Sequence, residues 1–523
     1  LWYNAFQFAA RTQFVEVRAF ARGFLCMKPL RLFLANIGYH TRVFPLVTPP
    51  FGLMALAAYL RSRMSVETMI VNQRLDNCTV QEVVRRAVEF GADAVGFSVF
   101  TTSSYLLPEV VRLAREALPN ALILTGGAHA SSVREAVMDE ADVDVAVPGE
   151  GELATEAVLQ TWLGGKRDFS AVPGVIWRDT SGEVMVNPGP LSRIDDLDTL
   201  PMPAYDLIDL PAYWKVQSIA PIFRRRYVSL TSSRGCPYNC IWCHKIFGKS
   251  IRMHSAERVV DEMSFLLGKY GSMGMRDFEF LDDNFNFSPK RVIDISENLL
   301  SRGMRVKLAF PTGLRADLLT GPAIDALADA GMFWCGFALE TGSPRLQKYT
   351  CKVMNIPKLL AAGEHVTRRG VFCNLYCMLG FPSETEEEIR QTVDTACASP
   401  FHTASFFTVT PFPGTALYEF VKERNPEKLK RLRYDDMDFS GMCVNLSDMP
   451  DERLFYHQRT ALRRFYGNPR RLVRLARSHP QPWMLPAYIP IFLYRASKGM
   501  LPFAGNRKSP GRPAACGDCP PNL

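Results

Sequence analysis

The chain has 523 residues, enough for about three domains of ordinary size. It is 47% hydrophobic and 22% charged, the balance of a globular protein with large cores. The 61 basic and 53 acidic residues leave a net charge of +8, a mild surplus for this length that argues against a nucleic-acid-binding class.

Thirteen cysteines without paired spacing suit free thiols in a reducing compartment, so a cytoplasmic location is expected. Residues 1–27 read as a non-native or disordered N-terminal extension, because Met27 stands directly before the first apolar strand. An amphipathic targeting helix is the alternative. No run reaches the eighteen apolar residues of a membrane span. The nearest, 483–494, is broken by prolines, and either packs on the body or makes a peripheral membrane contact.

Residues 28–165 alternate strand and helix. Apolar, β-branched runs fall at 31–36, 67–72, 94–100, 121–127 and 143–149, with helical patterns at 51–63, 79–91, 104–118, 132–140 and 152–163. This predicts an α/β, flavodoxin-like doubly wound domain, which binds ligands at the carboxyl ends of its strands. Those ends carry Gly38 and His40, Ser98 and Thr101, Gly126, Gly127 and His129, and Gly149 and Glu150. Glycines there let a backbone approach a bulky ligand. The region resembles the cobalamin-binding domain that precedes many radical SAM barrels. The resemblance implies that these nine residues border cobalamin, with Ser98 and the Gly126-Gly127 pair lining the slot for its nucleotide tail. The D-x-H-x-x-G motif that gives cobalt a lower histidine elsewhere is absent; the loop reads Asn36-Ile37-Gly38-Tyr39-His40. The bland alternative is a sheet without cofactor, used for docking, with His129 a loop or capping histidine.

Residues 166–225 read as a connector. Two short apolar runs flank Thr180-Ser181-Gly182 as a β-hairpin, followed by Asp- and Pro-rich turns.

Residues 226–430 alternate again, with strands expected at 227–232, 277–282, 307–312, 333–340, 372–380 and 404–410. Six units predict a partial (β/α)6 barrel. Directly after its first strand lie Cys236, Cys240 and Cys243, spaced C-x3-C-x2-C, at the mouth where barrel active sites sit. Structural zinc normally takes four ligands, and a disulfide with a spare thiol suits a secreted chain. Iron–sulfur clusters usually take four cysteines, so three leave one iron open for chemistry. The spacing, with Trp242 before the last cysteine, resembles the radical SAM family. The resemblance implies a [4Fe-4S] cluster on these three thiolates, with S-adenosylmethionine (SAM) on the open iron. It also implies SAM contacts from Trp242, Asp282, Asp283, Arg315, Glu340 and Gly380, at the cluster loop and the strand ends. The carboxylates could equally be salt-bridged rim residues, and Arg315 could simply pair with an acidic neighbour. The acidic run Glu384–Glu388 reads as a helix's first turn, capped by Ser383. Cys335, Cys373 and Cys377 lie in apolar strands, where buried thiols are commonplace.

Residues 431–523 read as a helical C-terminal region with a Pro-rich disordered tail. There Cys516 and Cys519, with Cys443, are too few for a second cluster of their own, a shared metal site being the alternative.

By resemblance, the chain is expected to be a cobalamin-dependent radical SAM enzyme. Reductive cleavage of SAM gives a 5′-deoxyadenosyl radical that takes hydrogen from substrate, and methylcobalamin then gives a methyl group to carbon. The implied partners are a small-molecule, natural-product or lipid-type substrate and a one-electron donor such as flavodoxin or ferredoxin. The alternatives are a cyclase or rearrangement enzyme of the anaerobic Mg-protoporphyrin ester cyclase type and a non-enzymatic cobalamin or redox sensor. Methylthiotransfer is disfavoured, because the N-terminal region has only Cys26 and Cys78.

Overall fold

The structure, a computed structural model, describes residues 28–40, 46–222, 225–432 and 444–486. The expectations for residues 1–27, for Cys443, Cys516 and Cys519, and for the apolar run after Pro486 lie outside these residues.

The first sheet has the order β2-β1-β3-β4-β5-β6-β7. Its parallel strands are β1 (Leu30–Ile37), β2 (Val66–Asn72), β3 (Ala94–Val99), β4 (Leu122–Gly126) and β5 (Val145–Val147). Strand β1 is buried on both faces. Phe33, Ala35 and Ile37 enter one apolar cluster, while Leu30, Leu32 and Leu34 enter the other. That is why the sequence reads as a continuous apolar run rather than an alternation. The helices Phe51–Arg63 and Glu152–Leu163 cover one face, and Val80–Phe90 and Leu107–Ala117 the other. The predicted hairpin forms as β6 (Ile176–Arg178) and β7 (Val184–Val186), and it adds antiparallel to β5. It therefore extends the first sheet. The helix expected at 132–140 instead begins at Gly127, directly on the end of β4, and breaks into Gly127–Val133 and Ala136–Glu140.

The second sheet is fully parallel, in the order β15-β14-β13-β12-β11-β8. Its strands are β8 (Tyr227–Leu230), β11 (Asp277–Phe280), β12 (Lys307–Leu314), β13 (Met332–Glu340), β14 (Phe372–Leu379) and β15 (Thr403–Thr408). Helices between them complete six units, and Phe280, Phe285 and Phe310 pack against one another within 4.7–5.4 Å in the core. A small ladder, β9 (Ser233–Arg234) with β10 (Arg252–Met253), brackets the cysteine loop. The helix after β14 runs Glu386–Ala398, and its cap is Thr385, which forms a capping box with Glu388. The expected cap, Ser383, instead sits outside the helix with a positive φ of 58°. C-terminal helices Asp451–Tyr466 and Pro469–Ser478 pack on the barrel, with Phe465 and Ala461 buried in its core. No helix of the described residues is long and apolar enough to cross a membrane.

Candidate functional site

The cysteine loop leaves β9 through Gly235. This residue has a φ of 90°, and a Cβ there would stand 2.5 Å from the Ser250 carbonyl, so only glycine fits. Asp282, at the end of β11, is buried and accepts hydrogen bonds from the Ser232 amide at 2.9 Å and from the Ser232 and Ser233 hydroxyls. Its Oδ1 thus holds the strand that delivers the loop, while its Oδ2 is buried with no hydrogen-bond partner among the described residues. Burial, above all, raises its carboxyl's pKa.

Cys236 is half-buried, Cys240 buried and Cys243 exposed. Cys243 nevertheless has so much protein around it that burial, with Cys240 and Asp283 adding, pushes its thiol up to about 12. Asp283 has the same double character: it is exposed, yet burial and the charge of Asp282 hold it up to about 6. Among the described residues no three His, Cys, Asp or Glu side chains converge as they would on a single ion. A cubane places each thiolate on its own iron, so the donor set of three soft sulfurs fits a [4Fe-4S] cluster and does not fit zinc.

Trp242 packs on Phe381 with ring centroids 5.4 Å apart, which anchors the loop's far end. Arg315 lies over the Tyr238 ring at 3.5 Å and pairs with Asp317 at 2.9 Å. The expected pairing with an acidic neighbour is thus present. Glu340 closes β13 at a register shift, with φ 63°, and pairs with Lys352 at 3.2 Å. The sequence reading did not single out Lys352. Burial works against its charge, but Glu340 and Cys240 outweigh that and raise its pKa. Gly380 has φ 87° and gives its amide to Glu384, and a Cβ there would meet Leu454 at 2.8 Å. Its glycine is required by the packing helix.

In the first sheet, β1 has β2 on one side and β3 on the other, so the strand order reverses between β1 and β3. Such a switch point opens a crevice at the carboxyl ends. Gly38 ends β1 there, and a Cβ on it would meet the Ser103 hydroxyl at 2.6 Å. Gly127, with φ 84°, comes so close to β3 that a Cβ would stand 2.5 Å from the Ser98 hydroxyl. Ser98 pairs in register with Gly126. Exposed Phe100 and Tyr105 border the same edge. Bare backbone, two serine hydroxyls and two exposed rings suit the tail and face of a corrin-sized ligand.

Five residues expected at cobalamin have other partners. His129 is fully buried, with Nδ1 3.3 Å from Thr101 Oγ1 and Nε2 2.8 Å from Glu140 Oε2. Thr101 is buried beside it. His40 Nδ1 meets the Arg74 carbonyl at 2.6 Å. Glu150 is buried and binds Arg234 at 2.7 Å, Arg252, and the Ile194 amide at 3.2 Å. Glu152 binds the same Arg234 at 2.6 Å. Gly149, φ 78°, donates its amide to Ser131 at 2.8 Å and so ties β5 to the helix Gly127–Val133.

These ties join the two sheets at their chemical edges. Arg234 stands two residues before Cys236, and its carboxylate partners follow β5. Ser132, on the helix that starts at Gly127, meets His244 Nδ1 at 3.0 Å, next to Cys243. A Cβ on Gly414 would lie 2.7 Å from the Ser132 carbonyl, so the Pro-Phe-Pro-Gly turn closes on the same helix.

A doubly wound domain with a ligand crevice, bolted to the mouth of a parallel partial barrel bearing three thiols, defines a two-cofactor radical enzyme. Family models match accordingly: the B12 binding domain over residues 40–159 and the radical SAM superfamily over residues 230–396. The chain belongs to the radical SAM enzymes that carry an N-terminal cobalamin-binding domain. It is 28% identical over 436 residues to an uncharacterized methyltransferase of Pyrococcus horikoshii, covering 83% of this chain and 91% of that protein. It is 28% identical to cytidylyl-2-hydroxyethylphosphonate methyltransferase of Streptomyces wedmorensis, over 64% of this chain and 68% of the other. The fold matches the cobalamin-dependent radical SAM enzyme OxsB, solved with aqua-cobalamin and SAM, with a TM-score of 0.70 at 18% identity. That match covers 90% of this chain and 72% of OxsB.

Proposed function

We propose that the protein is a cobalamin-dependent radical SAM methyltransferase acting on a carbon of a small-molecule substrate, of natural-product or lipid type. Cys236, Cys240 and Cys243 would hold the cluster. Asp283, Glu340 and Trp242 border the SAM position, and Ser98, Gly126 and Gly127 the nucleotide tail of cobalamin. When bound, the cluster supplies reductive cleavage of SAM, and cobalamin supplies a transferable methyl group. An external one-electron donor of the flavodoxin or ferredoxin kind completes the reading. The division into 28–165, 166–225, 226–430 and 431–523 follows from it, with the hairpin of the second segment assigned to the first sheet.

The observation that carries this reading is the direct seam between the two edges. Ser132 touches His244 beside the last thiol, and Arg234, at the loop's base, is gripped by Glu150 and Glu152. Transfer between two cofactors needs their reacting atoms held in fixed relation. Two buried carboxylates on one guanidinium supply that rigidity, because Arg presents a planar fork to both. The uncharacterized and the phosphonate methyltransferases named above lend support from outside the chain.

The test is anaerobic reconstitution with iron, sulfide and hydroxocobalamin, followed by reduction and SAM labelled in its methyl group. Labelled methylcobalamin together with 5′-deoxyadenosine is the expected result. Formation of 5′-deoxyadenosine with no label on cobalamin would favour cyclisation or rearrangement. Neither product, with both cofactors fully loaded, would leave the sensor reading.

A further inference from the structure

Six described residues other than glycine have left-handed backbone, and three of them gather at the thiol loop: Glu340 (φ 63°), Cys351 (φ 54°) and Val353 (φ 49°). Such conformations cost free energy, most of all for a β-branched residue like Val353, and persist only where the surroundings enforce them. Two of the three flank Lys352, and the third carries its partner. Lys352 Nζ stands 3.2 Å from Glu340 Oε1, with the two side chains only 13% and 10% exposed.

The segment is pinned along the thiol loop. The Ile241 amide donates to the Thr350 carbonyl at 3.1 Å, and Cys240 Sγ lies 3.9 Å from the Cys351 carbonyl. Arg315 Nη2 donates to the Lys352 carbonyl at 3.4 Å, while its guanidinium covers Tyr238 between Cys236 and Cys240. An ordinary solvated lysine needs neither strain nor such anchoring.

We propose that Lys352, aimed by Glu340 and by the strained segment around it, is the cation that sets the reduction potential of the cluster held by Cys236, Cys240 and Cys243. The proposal rests on the cluster reading above. Reduction adds one electron, delivered by the external donor, to a centre already carrying three thiolates. A fixed ammonium in a low-dielectric wall favours the reduced form, and the carboxylate of Glu340 opposes it. The pair therefore acts as an oriented dipole whose two ends shift the potential in opposite senses.

The experiment is a redox titration followed by electron paramagnetic resonance, on the full-length, anaerobically reconstituted protein without SAM. Lys352→Met is expected to move the midpoint potential to more negative values and Glu340→Gln to more positive ones, with Lys352→Arg close to wild type. Potentials unchanged in both variants, or shifted the same way, at full iron content would overturn the proposal. If Lys352→Met fails to retain iron, the sign of the Glu340→Gln shift decides alone. A wild-type protein that takes up no iron would defeat the cluster reading instead, a distinct result.

Discussion

Arg234 and Glu150 form a buried ion pair across the seam between the two sheets, 2.7 Å apart, with the guanidinium side chain 15% and the carboxylate 4% exposed. One belongs to the strand that launches the thiol loop, the other to the end of β5. Glu152 takes the second arm of the same guanidinium, and Arg252 takes the second oxygen of Glu150. Two cations and two anions thus close on each other in direct contact. Buried charge is costly unless paired, so the cluster is a strict fastener: it is stable only when both sheets are in place.

Replacing Arg234 with Met should therefore leave two buried carboxylates facing each other with only Arg252 to answer them. The expected loss is about 3–5 kcal/mol of unfolding free energy, the usual cost of orphaning one partner of a buried pair. Denaturant melts of the apo-protein would read it. Arg234→Lys should recover only part, because an ammonium cannot reach both carboxylates with a planar fork. A loss within ~0.5 kcal/mol would make the seam an ordinary surface contact.

Gly127 tests the crevice. Its φ of 84° and its 2.5 Å approach to the Ser98 hydroxyl leave no room for a methyl group. Gly127→Ala should add roughly 1–3 kcal/mol of backbone strain and displace the helix from β3. Cobalamin affinity, followed by the absorbance of the bound corrin, should fall by about ten-fold or more, since each 1.4 kcal/mol is a factor of ten. Adding Ser98→Gly relieves the clash but not the φ, so the double variant should recover only in part.

The cysteines divide into two groups with opposite expected phenotypes. Cys240→Ala should abolish iron uptake with little change in the far-ultraviolet circular dichroism. Cys335, Cys373 and Cys377 are fully buried, and Cys335 and Cys373 sit side by side on β13 and β14 with sulfurs 3.7 Å apart. Alanine at any of these three should keep iron uptake and cost about 1 kcal/mol of stability. Iron analysis beside a melting curve separates the groups.

Much of this architecture is legible in the residues themselves. The apolar runs located all eleven main parallel strands, most plainly those buried on both faces, such as β1 and β3, which leave a near-continuous apolar signature. The thiol loop was legible because its spacing is chemical. What the strand-end residues do was less so. Glu150, Asp282 and His129 sit where ligand contacts are expected, yet each is used to bind protein: Arg234, Ser232 and Glu140 respectively. A carboxylate at a strand end has the same sequence signature whether it faces a ligand or an arginine from another sheet. Lys352 went unmarked for the complementary reason. Its placement depends on left-handed backbone at Cys351 and Val353, residue types that carry no such preference in a sequence.

Glu384 gives the molecule a pH dependence with a definite sign. It is buried at 2% exposure, takes the Gly380 amide and the Phe381 amide at 3.1 Å, and burial pushes its carboxyl up to about 8. In the unfolded chain it titrates near 4.5. Between these values the folded protein holds a proton that the unfolded chain has released. Its contribution to stability is therefore full below about pH 4.5, declines as pH rises, and is lost above about pH 8. The slope in that window approaches ~1.4 kcal/mol per pH unit for this one group. Phe381 packs on Trp242, so the loosening should reach the thiol loop. Glu384→Gln copies the protonated form, and should flatten the decline and raise the melting temperature at pH 8 relative to wild type. A pH series of thermal melts on both proteins measures this, and parallel curves would place Glu384 outside the titration.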